Sequence, residues 1–297
     1  MNFVLELTEQ QIEALMETYQ NNALPVKETF ILGRFKIQGV NITVYRSGKV
    51  MFQGEHAEEA YLFWQDTFKL GPSNTNRKKS LPFYFPSIGS DESGSGDYFG
   101  PLVAAAVLIT EKDHEFLAQL TIQDSKTLND QVIKEIAPKL IARLKYSLNI
   151  LPNEKYNALI EEGYNLNKLK AYLHAQCHKT LLQKIPKSYP IVIDQFCTKT
   201  HYKKYLSEFD DAVIPDYFYT KAESQFASVA VASIIARYVF LKQLENLGVA
   251  LNVTLEKGAS NRVDNQAKRL VSAYGNDVLN TIAKKHFKNT KKVINQS

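Results

Sequence analysis

Two cysteines, Cys177 and Cys197, and a single tryptophan are all that 297 residues contain of those types. Two thiols cannot build a disulfide framework, and neither has a metal-ligand spacing, so both read as buried or inert thiols of a reducing compartment. No apolar run approaches the roughly 18 residues needed to cross a bilayer. The opening residues, Met1-Asn2-Phe3-Val4-Leu5-Glu6, lack the basic and apolar regions of a signal peptide. The expectation is therefore a cytoplasmic protein with no membrane partner. Also missing are a Walker loop, a Gly-x-Gly-x-x-Gly turn in strand context and a hydrolase nucleophile elbow, which argues against a phosphate-binding metabolic enzyme. No internal repeat or low-complexity tract is evident.

What is present describes a globular chain, 44% hydrophobic and 23% charged. Its charge is unevenly spread. Residues 1–80 hold nine basic and nine acidic side chains, so the whole net charge of +5 lies beyond them. Residues 281–297 carry no acid but five lysines, Lys284, Lys285, Lys288, Lys291 and Lys292. Such a cluster suits a polyanion, and equally suits a solvated basic terminus.

The length allows two domains, and the sequence suggests where they divide. Residues 71–84 read as a linker, polar and turn-rich through Gly71-Pro72-Ser73-Asn74-Thr75-Asn76-Arg77-Lys78-Lys79-Ser80. Residues 1–70 before it form a small α+β unit in the order βαβββα. A strand is expected over Asn2–Leu7 and a helix over Thr8–Tyr19, with Thr8 as N-cap and Gln11 closing a capping box. Strands follow near Thr29–Ile37, Asn41–Tyr45 and Val50–Gln53, the last two joined by an Arg46-Ser47-Gly48-Lys49 turn, and then a helix over Ala57–Phe68. A curved sheet backed by helices can bind nucleic acid across its face, or serve as a dimerisation or docking module.

Residues 85–297 read as an α/β unit. Strands are expected at Ser87–Ser90, Pro101–Thr110 and Lys145–Leu151, and helices at Asn153–Glu162 and Leu166–Ile185. Then come a strand at Tyr189–Asp194, another at Ala212–Tyr219 and a long apolar helix over Ala222–Leu244. Three strands followed by strand–helix alternation imply a mixed sheet flanked by helices.

The most informative segment of this unit is Gly89-Ser90-Asp91-Glu92-Ser93-Gly94-Ser95-Gly96-Asp97-Tyr98-Phe99-Gly100-Pro101. Adjacent carboxylates beside an apolar run repel each other and are costly to bury without a positive partner. A divalent cation is the usual partner, and Mg²⁺ prefers oxygen ligands that leave room for water and phosphate. The glycines allow a backbone to come close to a phosphate or ribose. A surface hairpin with an acidic turn is the plainer alternative. Asp194 ends the apolar run Ile191-Val192-Ile193, as a strand-end acid or an Asx turn. Glu223 opens the apolar helix, where an acid also serves the helix dipole. Asp97 and Asp124 are further candidates with ordinary turn explanations. His174 and His178 fall i,i+4 on an expected helix, a spacing able to hold a metal, but no acidic motif accompanies them in sequence.

Taken as a set, these segments carry a resemblance. The 89–101 run is similar to the signature of type 2 ribonucleases H, most closely bacterial ribonuclease HIII. Asp124-Ser125-Lys126-Thr127-Leu128, Ile193-Asp194-Gln195-Phe196 and Thr220-Lys221-Ala222-Glu223-Ser224 resemble its further motifs, as do Val229–Arg237, Lys257-Gly258-Ala259-Ser260 and Ala283-Lys284-Lys285-His286-Phe287. Glu at position 223 and Ser95 within Gly94-Ser95-Gly96 resemble the HIII pattern, where HII has Asp and Gly-Arg-Gly. The N-terminal unit resembles the TATA-binding-protein-like domain of HIII enzymes. Ser93 departs from the family, which usually has a small apolar residue there.

The resemblance implies an RNase H-like fold and endonucleolytic cleavage of the RNA strand of RNA/DNA hybrids, leaving 5′-phosphate and 3′-hydroxyl ends. It implies an acidic tetrad of Asp91, Glu92, Asp194 and Glu223 holding two Mg²⁺ ions, with Mn²⁺ as substitute. It also implies hybrid contacts from Gly94, Ser95 and Gly96 to a 2′-hydroxyl and from Lys126 to a phosphate. The protein is expected to be a monomer with no obligate protein partner. Two rivals are cleavage beside single ribonucleotides embedded in DNA, and a non-catalytic binding protein on the same scaffold.

Overall fold

The computed structural model describes residues 2–26, 28–37, 39–68, 86–120, 122 and 128–294. The linker at 71–84 and the segment Asp124-Ser125-Lys126-Thr127 lie outside the described residues. The chain divides into two compact units, Met1–Phe85 and Pro86–Ser297.

In the first unit, β1 (Asn2–Glu6) leads to α1 (Glu9–Thr18). Thr8 caps the helix, its backbone amide donating to Gln11 Oε1 at 2.9 Å and its side chain accepting from the Gln11 amide. A 3₁₀ turn at Gln20–Asn22 and a two-residue strand, β2 (Ala23–Leu24), come next, neither of them expected from the sequence. Strands β3 (Ile31–Ile37), β4 (Val40–Tyr45) and β5 (Lys49–Gly54) and helix α2 (Ala57–Thr67) complete it. The five strands form an antiparallel sheet in the order β1-β5-β4-β3-β2. Alternation along β3 sends Ile31, Phe35 and Ile37 into the core and leaves Leu32 and Lys36 exposed. That core packs Leu15, Phe52 and Trp64, and the Trp64 indole N–H donates to the Tyr19 hydroxyl at 2.9 Å. The opposite sheet face is mixed, with Arg34, Lys36, Asn41, Thr43 and Gln53 sharing it with Val4 and Met51.

The second unit begins with β6 (Ser87–Ser93) and β7 (Leu102–Ile109), then a 3₁₀ turn at Glu111–Asp113, α3 (His114–Gln119) and α4 (Asp130–Arg143). Next are β8 (Lys145–Leu151), α5 (Asn153–Glu161), α6 (Leu166–Leu182), β9 (Ile191–Asp194), α7 (Lys199–Tyr205) and β10 (Tyr217–Tyr219). A 3₁₀ turn at Ala222–Ser224 precedes α8 (Ala227–Ala250), and α9 (Asn261–Tyr274), α10 (Val278–Ile282) and α11 (Lys288–Ile294) follow. The sheet order is β10-β9-β6-β7-β8: β6, β7 and β8 pair antiparallel, and β9 and β10 run parallel to β6. This is a mixed sheet flanked by helices, α6 on one face and α8 on the other.

Strand β7 is buried along its whole length, because helices cover both of its faces. Helix α8 has the length and apolar composition of a membrane span, yet most of it is buried against β6, β7 and α4, as in a core helix. It lies so close to β6 that a Cβ on Gly89 would come within 2.3 Å of the Ser228–Val229 backbone. Only glycine fits there.

Three expectations need correction. Strand β6 continues to Ser93, so Asp91 and Glu92 are strand residues paired across to Ala105 and Ala104. The expected strand Ala212–Tyr219 shrinks to Tyr217–Tyr219; Pro215 has no amide to give a ladder, and Asp216 instead caps the edge by accepting from the Ile191 amide at 2.8 Å. The long helix begins at Ala227 and not Ala222, so Glu223 belongs to a separate turn.

Candidate active site

Period-two alternation along β6 sorts its side chains between the two helices. Ser87 Oγ meets Ser228 Oγ of α8 at 2.8 Å, and Asp91 accepts a hydrogen bond from Ser233 of the same helix. Ile88, Ser90 and Glu92 face α6, where Ile88 packs with Leu169, Leu173 and Cys177. The two adjacent acids thus diverge at the end of a central strand.

Asp91 has acidic company. Parallel pairing sets Ser90 beside Ile193, so the next residues, Asp91 and Asp194, follow side by side where β9 ends and β6 runs on to Ser93. Burial pushes the Asp91 carboxyl well above the usual carboxylate range, and the charges of Glu92 and Asp194 push it further. The Glu92 backbone amide partly offsets this, donating to Asp91 Oδ1 at 2.8 Å.

Asp194 in turn ties in the fourth acid. Its Oδ1 accepts from the Ala222 amide at 2.9 Å, fixing the 3₁₀ turn that carries Glu223 against the end of β9. Lys221 enters that turn in the left-handed region, φ 57°. Glu223 is 3% exposed, an acid built into the interior and not a solvated helix-cap residue.

Glu92 goes elsewhere. Its Oε1 pairs with Lys170 Nζ at 2.5 Å and its Oε2 accepts from His174 Nε2 at 3.1 Å, both partners on α6. Burial alone would raise its carboxyl, but the hydrogen bonds and charges of His174 and Lys170 outweigh burial and hold it below the usual range. With Glu92 so directed, no three His, Cys, Asp or Glu side chains among the described residues converge as a ready-made metal cluster. A cavity of about 290 Å³ opens beside the acids, lined by Glu92, Ser93, Asp130, Ser233 and Arg237 among others.

The glycine turn next to the acids is held from three directions. Gly94 has φ 91°, and a Cβ there would lie 2.3 Å from the Pro101 carbonyl. Gly96 is exposed, and a Cβ on it would meet no atom within 4 Å. Asp97 Oδ1 accepts from the Gly258 amide at 2.7 Å, and Arg237 approaches Oδ2 at 3.6 Å while pairing with both oxygens of Asp130. Lys284 is fully buried, donating from Nζ to the carbonyls of Asp97, at 2.9 Å, and Gly100. The Lys257–Ser260 and Ala283–Phe287 segments thus serve to clamp the 94–100 turn.

That clamp corrects the picture of a free basic tail. Lys284 is interior, Lys285 pairs with Glu161 at 3.2 Å, and Lys292 pairs with Asp264 at 2.7 Å. Cys177 is buried, its thiol pushed up to about 12 by burial, and suits the inert reading. Lys126 and Asp124 lie outside the described residues. Sequence reasoning gives no role to Lys170 or to the Ser90 side chain, and it offers His174 and His178 only as a candidate metal pair, whereas the structure sets them against Glu92 and Ser90. The i,i+4 histidine spacing was the available signal, and its acidic partner is 82 residues away in sequence, reached across the sheet.

Comparison with known proteins accords with this arrangement. The Ribonuclease HII family matches residues 88–290, and a domain family of unknown function, DUF3378, matches residues 2–77. Ribonuclease HIII of Staphylococcus aureus strain JH9 is 39% identical, the match spanning 98% of this chain and 97% of that protein. Ribonuclease HIII of Bacillus licheniformis is 40% identical across 97% of this chain and 96% of its own. Among solved structures, Bst-RNase HIII in complex with Mn²⁺ superposes with a TM-score of 0.69 at 38% identity, covering 100% of this chain and 99% of that one.

Proposed function

The chain belongs to the ribonuclease HII family, within its ribonuclease HIII group, and from that premise we propose that it is an endoribonuclease that cleaves the RNA strand of RNA/DNA hybrids. The observation that carries the reading is the gathering of Asp91, Asp194 and the Glu223 turn at the ends of β6 and β9, beside a glycine turn.

Those residues fit a divalent cation. The donors are all carboxylate oxygens, the set Mg²⁺ and Mn²⁺ prefer. Asp91 is half-buried, and desolvation together with the charges of Glu92 and Asp194 raises its pKa, a cost that a bound cation would remove. Asp91, Asp194 and Glu223, with Glu92, would hold two Mg²⁺ ions, or Mn²⁺ in their place. When bound, such a pair supplies an activated water and neutralises charge on the leaving oxygen, which gives 5′-phosphate and 3′-hydroxyl ends.

The protein's own part is positioning. Asp194 fixes the Glu223 turn through the Ala222 amide, and the Ser233 hydroxyl steadies Asp91. The turn Gly94-Ser95-Gly96, clamped from Gly258 and Lys284, would present its backbone to the 2′-hydroxyl that separates RNA from DNA. Lys126 would meet a phosphate. The polar side chains on the open sheet face, Lys36 and Asn41 among them, would hold the hybrid backbone, so that Lys36→Ala with Asn41→Ala raises KM and spares kcat.

The test is a strand-specific cleavage assay on a labelled RNA/DNA hybrid with Mg²⁺ or Mn²⁺, beside Asp91→Asn. Metal-dependent loss of the RNA strand alone, abolished in the variant, is expected. Tight binding of the hybrid with no cleavage in either metal would overturn the enzyme reading. A duplex with one embedded ribonucleotide, cleaved as fast as the hybrid, would overturn the choice of substrate.

A further inference from the structure

On α6, Lys170, His174 and His178 recur every fourth residue and so stack along one face of the helix. That face looks onto β6, where Ser90 and Glu92, two residues apart, share a side of the sheet. The two rows interlock. Lys170 Nζ meets Glu92 Oε1 at 2.5 Å, His174 Nε2 meets Glu92 Oε2 at 3.1 Å, and Ser90 Oγ lies 2.8 Å from both His174 Nδ1 and His178 Nε2. A carboxylate only accepts hydrogen bonds, so His174 Nε2 carries the proton it shares with Glu92.

The pair is built into the fold. The side chains of Lys170 and Glu92 are each 11% exposed, and His174 is wholly buried. Phe196 supports the arrangement from β9's end, with Lys170 Nζ 4.2 Å from its ring centre and the His174 ring stacked 5.6 Å away.

We propose that Lys170 is an internal counter-cation of the acidic site: it holds Glu92 in the cation-free protein, is displaced from it when a divalent cation binds, and so limits how tightly that cation is held. The inference rests on the metal-dependent reading above. Without a positive partner, Glu92 would add a second buried carboxylate charge beside Asp91, and like charges in a poorly hydrated interior are costly. Lys170 removes that cost. A dication entering the site repels the ammonium and competes with it for Glu92 Oε1. The same contact that stabilises the protein without cation therefore opposes cation binding. His174 remains on the other oxygen and acts as a positioning residue for Glu92. A purely orienting role for Lys170 predicts the opposite sign, because loss of an orienting partner weakens a metal site.

Mn²⁺ binding to the full chain, followed by the electron paramagnetic resonance of free Mn²⁺, separates the two, with thermal melting in EDTA as a second readout. Lys170→Met is expected to bind Mn²⁺ about tenfold more tightly than the wild type and to melt lower without cation. Lys170→Arg should return both values toward wild type, and Glu92→Gln should weaken binding. If Lys170→Met does not fold without cation, Lys170→Gln, which keeps a donor and loses the charge, carries the same comparison. Unchanged or weaker Mn²⁺ binding in the lysine variants, with wild-type binding intact, overturns the counter-cation role and leaves the metal reading standing. Failure of the wild type to bind Mn²⁺ at millimolar concentration takes both down.

Discussion

Asp194 Oδ1 accepts the Ala222 backbone amide at 2.9 Å, so the acid that ends β9 also fixes the turn bearing Glu223. On the metal-dependent reading proposed above, one carboxylate has a chemical task beside this architectural one, and two substitutions separate them. Asp194→Asn keeps an oxygen for the Ala222 amide; it should melt near the wild type while hybrid cleavage falls by more than about a hundredfold. Asp194→Ala loses the acceptor too, leaves a buried amide unmet and should melt lower by several degrees. Melting curves and single-turnover cleavage check both. Equal melting of the two variants would show that the turn stands without Asp194.

Asp91→Asn should gain stability while it loses activity. The folded-state pKa of Asp91 lies well above its ordinary value of 3.8, first because of burial and then because of Glu92 and Asp194. Between those two pKa values the folded protein binds the proton and the unfolded chain does not, so this group makes stability fall as pH rises. Asparagine does not titrate. In EDTA, the variant's advantage should therefore be present at pH 7.5, shrink as pH falls, and vanish below the ordinary carboxylate pKa. Denaturant melts at a series of pH values measure it, and a variant less stable than the wild type at pH 7.5 would contradict the raised pKa.

Local rules made much of this chain legible. The Thr8–Gln11 capping box follows from two side chains three residues apart, and β8 occupies Lys145–Leu151, the span its pattern gives. The extension of β6 through Asp91 and Glu92 was hidden because carboxylates have low strand propensity, and it is ladder pairing with Ala105 and Ala104 that carries the strand onward. Helix α4 went unread although Asn129 caps it, since Pro138 interrupts its interior. At the site, the four acids are visible as motifs, but which way each points is not. Alternation along β6 sends Glu92 to Lys170 and His174, a contact across more than 75 residues that no local pattern encodes.

Lys284 should give stability an alkaline slope. Burial lowers its pKa from 10.5 to about 7, with the Asp97 charge opposing the shift. Below that value both folded and unfolded states hold the proton, and the cost of burying the ammonium is present in full and constant. From about 7 to 10.5 the unfolded chain binds a proton that the folded chain releases, so stability rises with pH by up to about 1.4 kcal/mol per unit. Lys284→Met has nothing to titrate. Urea midpoints at pH 7, 8 and 9 should therefore climb more steeply in the wild type than in the variant; parallel lines would mean that Lys284 keeps an ordinary pKa.

The glycine turn offers a test in which stability and substrate recognition separate within two residues. Gly94 has a left-handed φ of 91°, and a Cβ there would come within 2.3 Å of the Pro101 carbonyl and 2.9 Å of the Phe240 ring. Gly94→Ala must strain the backbone and displace the β6–β7 connection, at a cost on the order of 1–3 kcal/mol. Gly96 has no neighbour within 4 Å of the position a Cβ would take, so Gly96→Ala should leave the melting temperature unchanged. If the Gly96 backbone approaches a ribose, however, the added methyl stands in the way of the hybrid. The expected signature is a raised KM for the RNA/DNA hybrid in Gly96→Ala with wild-type melting, against lowered melting in Gly94→Ala. An unchanged KM in Gly96→Ala would remove this turn from the substrate interface while leaving the acidic site untouched.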